Sequence, residues 1–272
     1  MSAGTHPDAG GEPVPAPSAG EPPILEARDI VKTFGHVHAL RDANFSAHAG
    51  EVVALIGDNG AGKSTLTKVI SGVTAPDSGQ LLFEGRPTDI SSPAAAQQLG
   101  IETVYQDLSL APDLDGSANI FLGREIYRPG FLGRLGVLDR GAMRAGAITA
   151  FTELGVAIRD PDVAVGYLSG GQRQGVAVAR AASWASKVII MDEPTAALGV
   201  VQSARVLDVI RRVRDRGLAV VLISHNMPEV LDVADRIEVL RLGERVASFT
   251  RAEATLESLV GAMTGAYVQE SR

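Results

Sequence analysis

A chain of 272 residues with 45% apolar side chains can bury a large core, and a net charge of −7 sets aside a polyanion-binding surface as its main business. With no cysteine, it has no disulfide, thiolate nucleophile, iron–sulfur cluster or cysteine-ligated zinc. No apolar run approaches the roughly 18–20 residues of a membrane-spanning helix.

Residues 1–23 are Pro-, Gly- and Ala-rich with almost no large apolar side chain, and they read as a disordered tail. They lack the basic start and apolar stretch of a secretory signal. From Ile24 the pattern shifts to short extended segments at 24–30, 38–47, 51–56 and 80–83, separated by Gly35, Gly50 and the Pro76-Asp77-Ser78-Gly79 turn. These predict a small antiparallel sheet set against a nucleotide-binding core. Phe34 sits among them in VKTFG and, on local grounds, reads first as core packing.

The segment Gly57, Asp58, Asn59, Gly60, Ala61, Gly62, Lys63, Ser64, Thr65 fits G-x-x-x-x-G-K-[ST], the nucleotide-phosphate loop. A polyphosphate needs many N–H donors at close range, and glycine lets the backbone wrap it without a Cβ clash. Lys63 supplies a point charge for the β- and γ-phosphates and Ser64 a hydroxyl for Mg²⁺. The context fits, because an apolar strand (52–56) precedes the loop and a helix (64–70) follows, its positive end toward the anion.

Residues 93–99 read as a short helix, 101–105 as a strand ending at Gln106, and 107–180 as a largely helical block whose clearest helix is 139–154, capped by Asp139. The LSGGQRQ segment opens a helix to about residue 183 with Ser169 as N-cap. Gly170 and Gly171 make this either a second anion-binding helix end or a flexible turn. The all-apolar run 188–191 ends in Asp192 and Glu193, where ligands bind in open α/β sheets. Asp192 is placed to hold Mg²⁺ through water and Glu193 to polarise the attacking water; the bland alternative is a solvated acidic turn. A further buried strand, 218–223, leads to His225, which alone reads as structural as readily as catalytic. A hairpin at 236–249 and a terminal helix at 252–263 complete the chain.

The order GDNGAGKST, Gln106, LSGGQ, VIIMDE, His225 resembles the ATP-binding cassette (ABC) transporter ATPases over roughly residues 24–249. The wording VYQDLSLAPDL, NIFLGREI and DEPTAALG resembles, within them, the single-cassette ATPases of ribose-, xylose- and fructose-type carbohydrate uptake. The resemblance implies an α/β P-loop cassette with a mixed central sheet, an N-terminal antiparallel β-subdomain and an inserted helical subdomain. Its domain would run over 24–250, followed by a C-terminal helix and tail at 251–272. It also implies ATP and Mg²⁺ as cofactors, with the metal on Ser64, Gln106 and Asp192. Phe34 then matches the aromatic that stacks on adenine, Ser169, Gly170, Gly171 and Gln172 the signature, Glu193 the catalytic carboxylate and His225 the switch histidine. Catalysis would rest on Lys63, Gln106, Glu193 and His225. One phosphate loop per chain implies a head-to-tail homodimer on the cytoplasmic face of the membrane. The partners implied are a transmembrane permease and, indirectly, an extracytoplasmic sugar-binding protein, with no nucleic acid. The pattern departs at Gly199, where the family commonly places Asp.

Overall fold

The computed structural model describes residues 22–158, 160–196 and 198–266, so the expected disordered tail lies, up to residue 21, outside the described residues. In chain order the elements are β1 (Leu25–Phe34), β2 (Val37–Ala47), β3 (Val52–Ile56), α1 (Lys63–Ile70), β4 (Ser78–Phe83), β5 (Arg86–Pro87), α2 (Pro93–Gln98) and β6 (Ile101–Val104). Then come α3 (Gly116–Ile120), α4 (Phe131–Arg134), α5 (Arg140–Leu154), α6 (Gly170–Trp184), β7 (Val188–Asp192) and α7 (Val200–Asp215). The chain closes with β8 (Ala219–Ile223), α8 (Met227–Val233), β9 (Arg236–Arg241), β10 (Glu244–Thr250) and α9 (Leu256–Thr264).

Two sheets form. The first has the order β2-β1-β4-β5 and is antiparallel throughout. The second has the order β10-β9-β3-β8-β7-β6, parallel except where β10 folds back on β9. Residues 51–56, expected in the antiparallel sheet, instead form β3, which pairs with β8 and β9 in the central sheet. Every residue of β3 is buried, as a strand covered on both faces requires.

The alternation of β3 explains how one strand serves two cores. Val52, Ala54 and Ile56 pack with the helical side, alongside Val206, Ile210 and Val230, while Val53 and Leu55 pack with β1, β2 and α1. Between the sheets, Arg236 on β9 donates to Glu51 Oε1 at 2.7 Å and to the Ser46 carbonyl of β2 at 2.8 Å, and also pairs with the buried Glu238. Burial alone would push the Glu51 carboxyl up, but its bonds from Arg236 and His48 outweigh that and hold it below the usual range.

Between β6 and β7 the regular elements are helices. Asp139 caps α5 through the Ala142 amide, and Ser169 caps α6 with a reciprocal bond from Gln172. The terminal helix starts at Leu256 rather than 252, because Thr255 and Ser258 form a capping box there.

Candidate active site

The phosphate loop occupies the carboxyl end of β3, and its shape is enforced from outside. Gly57 has φ +156°, and a Cβ there would sit 2.3 Å from the Leu240 carbonyl oxygen. Gly62 has φ +104°, and its Cβ would meet the Ala39 carbonyl at 2.7 Å. The amide of Gly243, in the β9–β10 turn, donates to the Ala61 carbonyl at 3.0 Å, and the Arg41 amide donates back to Gly243. Only glycine fits two such positions, where the backbone is both left-handed and crowded. Asp58, Asn59 and Gly60 form an exposed rim over buried Ala61, while Ser64 is exposed and Thr65 partly so on the first turn of α1.

Lys63 curls back into the loop, its Nζ donating to the Gly57 carbonyl at 2.8 Å and the Asp58 carbonyl at 3.1 Å. Burial lowers its pKa, and the nearby Glu193, Asp58 and Asp192 only partly offset that. A half-buried cation held by two neutral carbonyls gains from an incoming polyanion.

The acids lie on the next strands of the same edge. Because β3, β8, β7 and β6 run parallel side by side, their carboxyl ends bring the loop, His225, Asp192–Glu193 and Gln106 to one rim. Glu193 takes φ +50°, a left-handed conformation that residues other than glycine rarely adopt, and its amide donates to the Ile223 carbonyl at 2.9 Å. Its Oε1 lies 2.8 Å from His225 Nδ1. Glu193 is sheltered, its side chain 16% exposed, while the His225 side chain is 72% exposed. The pair rules out a solvated acidic turn at 192–193. Asp192 has its pKa raised, first by burial and then by the charge of Glu193.

The Asp192 carboxylate and the Ser64 hydroxyl are oxygen donors of the kind Mg²⁺ takes. Among the described residues no three His, Asp or Glu gather as a metal cage, so the protein's share of such a site is small. Gln106 is exposed just past β6, at the start of the helical block.

Phe34 ends β1 with 50% exposure and belongs to neither core, so the core-packing reading is corrected. Lys32 Nζ stands 5.6 Å from its ring centroid and pairs with Asp77 at 2.7 Å.

The signature is a separate place. Ser169 Oγ accepts from the Gln172 amide at 3.3 Å, the Gln172 side chain returns to the Ser169 amide at 3.0 Å, and its Nε2 reaches the Ala157 carbonyl. This capping box removes the flexible-turn reading of Gly170-Gly171. Gly170 faces Leu198 and Gly171 faces Gln202. No residue of the phosphate loop lines the recess beside them, which is formed by Val156, Gln172, Gln202 and Arg205 among others. Gly199 caps α7 with φ −77° and ψ 165°, so nothing there demands glycine.

Sequence reasoning missed the outer supports of the loop, Leu240, Ala39 and Gly243, because no local pattern marks carbonyls from distant strands. It also missed α7, although Val206, Ile210 and Val213 repeat at helical spacing.

With loop, acidic strand end and signature all in place, the fold and site define an ATP-binding cassette. Residues 40–196 match the ABC transporter family, and the chain belongs to it. It is 55% identical to the fructose import ATP-binding protein FrcA of Rhizobium meliloti, covering 90% of this chain and 95% of that one. It is 46% identical to the xylose/arabinose import ATP-binding protein XylG of Sulfolobus acidocaldarius, covering 89% of this chain and 94% of the other. Among solved structures it is similar to an ATP-binding cassette of an ABC transporter, with TM-score 0.76, 27% identity and coverage of 91% and 99%. It is also similar to a dimeric cassette bound to ADP and Pi, with TM-score 0.69, 25% identity and coverage of 84% and 98%.

Proposed function

We propose that the chain is the ATP-hydrolysing subunit of an importer for a monosaccharide such as fructose, ribose or xylose. It would work as a head-to-tail homodimer beneath a separate transmembrane permease on the cytoplasmic face of the membrane, with an extracytoplasmic sugar-binding protein as indirect partner. The observation that carries the reading is the Glu193–His225 contact of 2.8 Å on the same sheet edge as half-buried Lys63. The fructose and xylose/arabinose import relatives, similar over nearly the whole chain, support the sugar class.

The loop amides of residues 57–65 and the Lys63 ammonium would hold the β- and γ-phosphates, and Phe34 would stack on adenine. Lys63 exchanges its two loop carbonyls for phosphate oxygens, which keeps it charged. Ser64, Gln106 and Asp192 would hold Mg²⁺, which when bound neutralises charge developing on the phosphate oxygens. Glu193 polarises the attacking water and accepts its proton, its carboxylate oriented by His225. The exposed edge of His225 is free to bond the γ-phosphate. Ser169, Gly170, Gly171 and Gln172 would cover the γ-phosphate of the partner chain. The Ser169 oxygen already accepts from the Gln172 amide, so its hydroxyl hydrogen remains to donate. Gln106, at the foot of the 107–180 block, would pass closure to the permease.

Phosphate release tests this. Purified protein should hydrolyse ATP slowly and without response to sugar, and sugar dependence should appear only once permease and binding protein are added. Glu193→Gln should retain ATP binding while turnover falls about 10²-fold or more. Wild-type turnover in that variant removes Glu193 from its role, and sugar stimulation of the isolated chain contradicts the importer reading.

A further inference from the structure

Beyond α3 the chain leaves the helical block, turns, and returns. The Asp139 amide donates to the Ile126 carbonyl at 2.7 Å and the Arg128 amide to the Val137 carbonyl at 2.9 Å, with Tyr127 and Leu138 bridged between them. The tip is the single turn α4, closed by the Leu135 and Gly136 amides. The segment is therefore ordered by its own backbone, yet it buries almost nothing. Residues 127–137 are exposed at every position except the half-buried Gly133. Phe131 is 73% and Leu135 63% exposed, with Tyr127, Leu132 and Val137 open beside them.

The charges are one-sided. Of the five arginines from 124 to 144, Arg124 pairs with Glu102 and Arg144 with Asp162. Arg128, Arg134 and Arg140 have no carboxylate partner among the described residues. The two acids of the same stretch are engaged locally, Glu125 by the Gly123 amide and Asp139 as the cap of α5. In a chain of net charge −7, this projection is apolar and basic.

We propose that the projection at 127–137 is a membrane-surface anchor: Phe131, Leu132 and Leu135 enter the headgroup layer and Arg128 and Arg134 bind the phosphates of anionic lipids. A one-turn helix among Gly130, Gly133 and Gly136 cannot furnish the roughly 800 Å² per partner of an ordinary protein interface. Partition into a lipid interface needs no shape complementarity, only a few apolar side chains with cations beside them. The inference rests on the importer reading for placing the chain at a membrane.

The test is flotation of the full chain with vesicles of phosphatidylcholine alone and with phosphatidylglycerol added, each with and without the reconstituted permease, at low and high salt. The variants are Phe131→Ser/Leu135→Ser and Arg128→Gln/Arg134→Gln, and hydrolysis is read separately without vesicles. Wild type should bind the anionic vesicles at least about tenfold more tightly than the neutral ones, less so in high salt. The apolar pair of substitutions should weaken binding about tenfold and the arginine pair should abolish the anionic preference, with hydrolysis in each within roughly twofold of wild type. This pattern supports the anchor even if wild-type hydrolysis fails, which would count against the ATPase reading alone. Equal binding by all three proteins overturns it, as does a loss confined to vesicles that carry the permease, which would assign the projection to a protein contact.

Discussion

The two anion-binding helix ends of this chain are built in opposite ways. The phosphate loop before α1 is clamped by β2 and the β9–β10 turn, with glycines where no Cβ fits and a half-buried cation inside. The signature end of α6 is capped by its own side chains, and the cation of its first turn, Arg173, is exposed. On the proposed reading the first would bind phosphate by itself. The second would complete a site only when something brings a phosphate to it, and in a chain where the two ends stand apart that something would be a second copy.

Gly62→Ala against Gly170→Ala breaks this comparison most sharply. Gly62→Ala combines a strained φ of +104° with a Cβ 2.7 Å from a backbone oxygen, and should cost about 3 kcal/mol or more of stability. Gly170→Ala meets only the Leu198 side chain, at 3.4 Å, and should stay within about 1 kcal/mol. Urea melts of both variants decide it, and equal losses would mean the signature is clamped too.

Phe34→Ala sharpens it on the adenine side. Base stacking is worth about 1–3 kcal/mol, so ATP binding should weaken roughly 5- to 150-fold by titration, with little change in melting because the ring lies outside both cores. Early melting with normal ATP affinity would return Phe34 to a structural role.

The smallest effect belongs to Gly199→Asp. Its φ of −77° accepts any residue and its Cβ meets only the movable Gln202 side chain. The variant should cap α7, add a few tenths of a kcal/mol, and change turnover less than about tenfold. A larger loss in a steady-state assay would show that the dimer interface excludes a carboxylate there.

Much of this was legible in the sequence, for reasons that differ by region. The phosphate loop, the apolar β7 run into Asp192-Glu193 and the Ser169 cap are local patterns, and local patterns survive folding. The pairing of Glu193 with His225, 32 residues apart, follows from β7 and β8 being neighbours, which no single segment encodes. Phe34 was misread from its own segment because the end of β1 projects beyond the core, a fact of sheet length rather than composition. β3 was placed in the wrong sheet for a similar reason, since an extended apolar segment does not announce its partners.

The central claim, that one chain's loop is completed by the other chain's signature, is tested most directly by mixing two inactive variants. Lys63→Ala keeps its signature and loses its loop, whereas Gly170→Asp keeps its loop and places a negative charge where the partner's phosphate would sit. Each alone should have every site broken. In a mixed dimer one site carries both faults and the other neither, so an equimolar mixture should regain up to about one quarter of wild-type phosphate release. A mixture no more active than its two components would contradict the shared site.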